Sequence, residues 1–212
     1  MTECFLSDEE MRKLNRDLRI LIATNGTLTR ILTVVADEEI VVQIIKQQIH
    51  HVAPKIPKLR QLPSGRVLQR NILLKGRGSG KPFVAAESFI AIDLLPPAIV
   101  ASLTTTDRPI GEVMAASCLD TCKEAPKVWI GESPGWLALD GYQNMRTKTV
   151  ARRYRVIAGG QPVIIITEYF LQNAFRDEPC EEHDCRQHSN NIDTRSGDRF
   201  ALNDRISRSH WR

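Results

Sequence analysis

Apolar side chains fall at helical spacing at Met11, Leu14, Leu18 and Leu21. Ser7 and Glu10 stand just ahead of them in the spacing of a capping box, so the pattern predicts one helix from Ser7 to about Leu21. Asn25-Gly26 ends it, and Thr27 is placed to cap a second helix through TLTRILTVVA. From residue 39 the period changes. The run EIVVQIIKQQIHHV, residues 39–52, is β-branched and half-alternating and predicts a strand. Three prolines mark residues 53–65 as a loop. Strand-like runs follow at residues 66–75 and 82–92. Residues 96–103 suit a short helix with proline in its first turn, and another helix begins near residue 109. Strands are predicted over 120–132, 149–157 and 162–171, the last two joined by a Gly159-Gly160 hairpin. The sum is an α+β domain over residues 1–175: helices first, then about six mostly antiparallel strands joined by hairpins and two short helices.

Composition changes the picture mainly at the C-terminus. Residues 176–212 carry seven arginines and eight acids with few large apolar side chains, which predicts a disordered tail. The net charge of +4 is too small for a dense nucleic-acid-binding face and equally suits a small anionic ligand. The polar N-terminus does not read as a signal peptide, and no apolar run reaches the length of a membrane span. Five cysteines, an odd number in a chain that is not small, argue against a disulfide framework and point to the cytoplasm.

Four features are candidates for chemistry. GRGSGK, residues 76–81, looks like a phosphate-cradling loop, but its glycines are one residue too close, Pro82 follows Lys81, and a strand follows rather than a helix. It is read as a hairpin turn. Cys180, His183, Cys185 and His188 are zinc-ligand types in tight spacing within the polar tail; they are read as an accidental cluster, with no metal expected. Arg152, Arg153 and Arg155 are read as a solvated face of an edge strand, Arg152 pointing opposite to the other two. Finally, Arg70 and Glu168 each interrupt an apolar strand. Alternation leaves open whether each points to solvent or is buried and paired. Aimed into one pocket, such an arginine clamps a carboxylate and such a glutamate exchanges protons.

The ordered segments GTLTRIL, RNILL, PFVAAESFI, RPIGEVM and PVIIITEYFL, spread over residues 26–171, resemble the chorismate pyruvate-lyase (4-hydroxybenzoate synthase) family, most closely its mycobacterial branch. The resemblance implies a cofactor-free enzyme that splits chorismate into 4-hydroxybenzoate and pyruvate, the product feeding phenolic glycolipids in that branch. It implies an antiparallel sheet whose helices enclose a buried ligand cavity. It places the ligand carboxylate on Arg70 and on the backbone amides of Leu28 and Ile110, and Glu168 at the opposite, oxygen-bearing end. Glu168 is then expected to donate a proton or hydrogen bond to the ether oxygen. Asn71 departs from the family, which often has an acid there. The partners expected are the substrate and product alone, without nucleic acid or membrane; the oligomeric state stays open, a monomer being compatible. The alternative is a non-catalytic effector-binding domain of the same fold.

Overall fold

The computed structural model describes residues 4–51, 62–139, 148–171 and 174–175. The predicted tail and its Cys/His cluster, and most of the proline-rich loop, lie outside the described residues. Among the described residues, eight strands make one antiparallel sheet. They are β1 (Cys4–Phe5), β2 (Ile40–His50), β3 (Val67–Gly76), β4 (Pro82–Ala91), β5 (Thr121–Lys123), β6 (Lys127–Glu132), β7 (Lys148–Ala158) and β8 (Gln161–Phe170). Their order across the sheet is β1-β6-β7-β8-β4-β3-β2, with β5 also pairing to β7. The about six strands expected correspond to the six long ones; β1 and β5 have only two and three residues.

β7 is therefore interior, which corrects its reading as an edge strand. The single strand expected over 120–132 is two, β5 and β6. Both pair with β7, and Pro126, which has no N–H to give a ladder, stands between them. The β7–β8 hairpin turns on Gly159 and Gly160 at φ 55° and 75°, a left-handed pair that a turn needs and that side chains resist.

The long N-terminal helix is also two. Ser7 and Glu10 close the expected capping box on α1 (Asp8–Arg12), but Asn15 then caps α2 (Arg16–Ala23) by accepting from the Asp17 amide at 2.7 Å. A second cap inside the apolar pattern is what splits the helix. Next come α3 (Leu28–Ala36), α4 (Pro97–Thr105) and α5 (Ile110–Ala116). α2 and α3 bury Leu21, Leu32 and neighbours on Ile72, Leu74 and Phe170 of the sheet. α4 and α5 bury Leu103, Val113 and neighbours on Leu68, Ile164 and Ile166 of the same face. On the other face Trp129 and Tyr169 pack with Leu137 of the short α6 (Gly135–Leu139). The central strand β8 is thus covered on both sides, and charges placed in it must be paired internally.

The glycine cluster is a hairpin tip between β3 and β4. Gly76 and Lys81 bond across it, and Gly80 takes φ 66°. Its amides do hold an anion, but that anion is Glu38. The Glu38 carboxylate accepts from the amides of Gly78 and Ser79, both at 3.1 Å, and from Ser79 Oγ at 2.6 Å. A Cβ on Gly76 would lie 2.1 Å from Glu38 Oε1, so a side chain there would push the carboxylate out of its present position. These donors, the Ser79 hydroxyl foremost, hold Glu38 below its ordinary pKa. With the folded value depressed, this contribution to stability is full above the ordinary carboxylate range and is lost as pH falls through the folded value. Glu38→Gln is expected to speed hydrogen exchange at Gly78 and Ser79 while leaving turnover intact; unchanged exchange at both would show the carboxylate does not hold the loop.

Candidate active site

Between the two apolar clusters of the helical face lies a cavity of about 350 Å³. Its floor is the sheet: Ile72 of β3, Ala86 and Ser88 of β4, Ile166 and Glu168 of β8, Tyr154 of β7. Its walls are the starts of α3 and α5, and β5 closes one side with Thr121 and Lys123. The exposed Asn25, Gly26 and Ala115 form its mouth.

Leu28 and Ile110, the two expected main-chain contacts, both line it. Each is the first residue of its helix, and neither cap residue, Thr27 or Pro109, bonds a side chain to the first turn. Thr27 thus holds the expected N-cap position without acting as a cap. First-turn amides have no partner inside a helix, so two sets of donors border the same space. The two starts touch: a Cβ on Gly111 would lie 3.3 Å from Thr27 Cγ2.

Glu168 lines the cavity and is 5% exposed. It is not alone. Arg152, opposite it on β7 and 1% exposed, gives its Nε–H to Glu168 Oε2. Tyr154 Oη–H donates to Oε1 at 3.1 Å. Burial, reinforced by the Glu168 charge, holds Tyr154 well above its usual pKa, so it stays a donor. Arg152 Nη1 also donates to the carbonyls of Leu21, Ile22 and Thr24 at 2.7, 2.8 and 3.1 Å, which are the C-terminal carbonyls of α2. A cation at a helix C-terminus meets both orphan carbonyls and the negative end of the dipole. Arg152 is therefore a strut between α2 and Glu168, which corrects its reading as part of a solvated face. The other two arginines lie on the opposite face. Arg153 Nε donates to Thr167 Oγ1 at 3.0 Å, and Arg155 pairs with Glu124.

Arg70 is 1% exposed and sits in the cavity-facing row beside Ser88, in register with Ile166 and Tyr154. It is not itself among the lining residues. Its Nη1 and Nη2 reach only carbonyl oxygens, Arg108 O at 3.4 Å and Thr106 O at 3.2 Å. Its Nε is buried without a partner. Burial lowers its pKa, opposed by the charge of Asp107. A buried guanidinium with a spare donor and no carboxylate bonded to it suits an anion from outside.

Residues 22–176 match the family described as "Chorismate pyruvate-lyase Rv2949c-like". Proteins named chorismate pyruvate-lyase in Mycobacterium tuberculosis (strain CDC 1551 / Oshkosh) and Mycobacterium leprae (strain TN) are each 65% identical to the chain. The first alignment covers 91% of this chain and 98% of the relative, the second 97% and 98%. The chain belongs to the chorismate pyruvate-lyase family. Its fold is shared more widely. PhnF from Mycobacterium smegmatis superposes with a TM-score of 0.54 at 10% identity over 73% of this chain and 67% of that one. The C-terminal domain of the histidine utilization repressor from Pseudomonas syringae gives 0.51 at 15% identity over 65% and 95%. At such identity the likeness is of fold alone.

In this family member the structure adds Arg152, Tyr154 and Lys123 to the residues expected at the site. Tyr154 shares strand parity with Arg152, the one signal that linked them in sequence. Lys123 carried no signal, because three-residue β5 is too short for a pattern. Together they give the cavity an acceptor, Glu168, held at two points, and a half-buried cation, Lys123, on the β5 side.

Proposed function

We propose that this protein eliminates pyruvate from chorismate and leaves 4-hydroxybenzoate. The reading is carried by its 65% identity to chorismate pyruvate-lyases over nearly their whole length. The hydrogen on the ring carbon that bears the hydroxyl leaves, and the C–O bond on the neighbouring carbon breaks. The enolpyruvyl methylene gains the hydrogen, so pyruvate and an aromatic ring result. The balance needs no oxidant or reductant. Because the ring becomes aromatic, the protein has mainly to orient the ligand and support charge as the C–O bond breaks.

In this reading Arg70 takes the ring carboxylate through its spare Nε–H, helped by first-turn amides at Leu28 and Ile110. Glu168 meets the hydroxyl end. Since it already accepts from Arg152 and Tyr154, it accepts a hydrogen bond from the ring hydroxyl, which keeps its proton, rather than donating to the ether oxygen. A negative group there favours the ring as electrons leave with the breaking C–O bond. The product would serve phenolic glycolipid assembly, as the resemblance to the mycobacterial branch implies, and the reaction would run in the cytoplasm. Among the described residues no helix is long and apolar enough to cross a membrane.

The test is to supply chorismate and follow both products. Equal amounts of pyruvate and 4-hydroxybenzoate are expected; binding without either product would make the protein an effector-binding domain instead. Glu168→Gln is expected to lower kcat by about 10²-fold, the loss typical of one electrostatic stabiliser, with a smaller change in KM. A variant turning over like the parent would remove Glu168 from the chemistry.

A further inference from the structure

Chorismate carries two carboxylates, and the site has so far supplied a cation for one. We infer that Lys123 binds the second, the carboxylate of the departing enolpyruvyl group. This rests on the chorismate reading and adds to it the residue that recognises the leaving group.

Three observations carry it. Lys123 lines the cavity together with Glu168 and Tyr154, and its side chain is half-buried. Its ammonium group donates to a neutral oxygen, Gly26 O at 2.9 Å, and lies 5.5 Å from the centre of the Tyr154 ring. Among the described residues it has no carboxylate within ion-pair distance. Glu168 is already matched by Arg152, so Arg70 and Lys123 remain, each bonded only to carbonyl oxygens, one for each carboxylate of a dianion.

The order across the sheet fits the molecule. Arg70 on β3, Glu168 on β8 and Lys123 on β5 follow one another in that sequence. Arg70 and Tyr154 are three strands apart in one row, about 14 Å between backbones, and Lys123 lies one strand beyond, opposite Val156. Side chains reaching inward from both ends leave a span for one small ring and its substituent. Ring carboxylate, hydroxyl and side-chain carboxylate then meet Arg70, Glu168 and Lys123 in turn. As the C–O bond breaks, negative charge moves onto the enolpyruvate, towards Lys123. Burial lowers the lysine's pKa while the charge of Glu168 opposes that shift. The same lysine bonds Gly26 at the mouth, so pyruvate leaves past the residue that held it.

The test separates the two carboxylates. Lys123→Gln keeps a donor for Gly26 O and removes only the charge. It is expected to raise KM for chorismate by about tenfold or more, while the Kd of 4-hydroxybenzoate, which lacks the second carboxylate, stays within about twofold. Lys123→Arg is expected to restore most of the chorismate affinity. An unchanged KM overturns the inference, and so does an equal loss of affinity for both ligands, which would mean the residue only supports the mouth. If the parent turns over chorismate, failure of these variants leaves the reaction standing. If the parent neither binds nor converts chorismate, the reaction and the leaving-group site fall together.

Discussion

Arg152→Met is expected to destabilise the protein by about 3–5 kcal/mol, the cost of leaving a buried ion without its partner. In a chain of this size that lowers Tm by about 10 °C. Two losses combine. Glu168, 5% exposed, would keep a charge with only Tyr154 to meet it. The last carbonyls of α2 would lose the donor that ends them, and with them the segment through Asn25 and Gly26 that forms the cavity mouth. The double variant Arg152→Met, Glu168→Leu checks the cause. Removing both charges should cost less than removing Arg152 alone, a sign that only an uncompensated charge produces. If the double variant is the less stable of the two, the ion pair is not what Arg152 contributes, and its role is the α2 carbonyls alone. Melting curves of the three proteins decide it.

Arg70→Met is expected to behave in the opposite way. Arg70 meets only two carbonyl oxygens and keeps one buried N–H unpaired, so the empty protein bears a desolvation cost with little return. Its Tm should hold or rise. Ligand binding should collapse: loss of a desolvated charge partner costs about 2–5 kcal/mol, roughly 30- to 5,000-fold in kcat/KM for chorismate. Stabilisation of the protein by added 4-hydroxybenzoate should vanish with it. A variant with unchanged kinetics would place the ring carboxylate elsewhere. The contrast is diagnostic: one buried arginine holds the fold, and the other is held ready for a ligand at the fold's expense.

Much of this was legible in the sequence. The helix start capped by Ser7, the hairpin at Gly159-Gly160 and the long strands all follow from local chemistry, since capping residues, β-branched runs and paired glycines act on their immediate neighbours. The glycine cluster at residues 76–81 was correctly a turn, although the anion it holds, Glu38, lies far away in sequence. Where the reading failed, a competing local signal or a distant partner was the cause. Asn15 broke an otherwise continuous apolar helix pattern. Pro126 broke a strand.

The sequence by itself determined the α+β class, the family and the two charged residues, Arg70 and Glu168, that stand out of apolar strands. It did not determine what Glu168 faces. A regular two-glycine hairpin, continued from the Ala158–Gln161 pair, would set Ala151 opposite Glu168 and leave Arg152 on the other face. An irregularity between Val156 and Ile157 shifts the register by one and brings Arg152 and Glu168 together. Strand faces alternate with every residue, so that single shift exchanges the entire set of side chains presented to the cavity. Only the packed sheet, with helices to cover one face and α2 to receive the other end of Arg152, selects the register in which the buried charges meet.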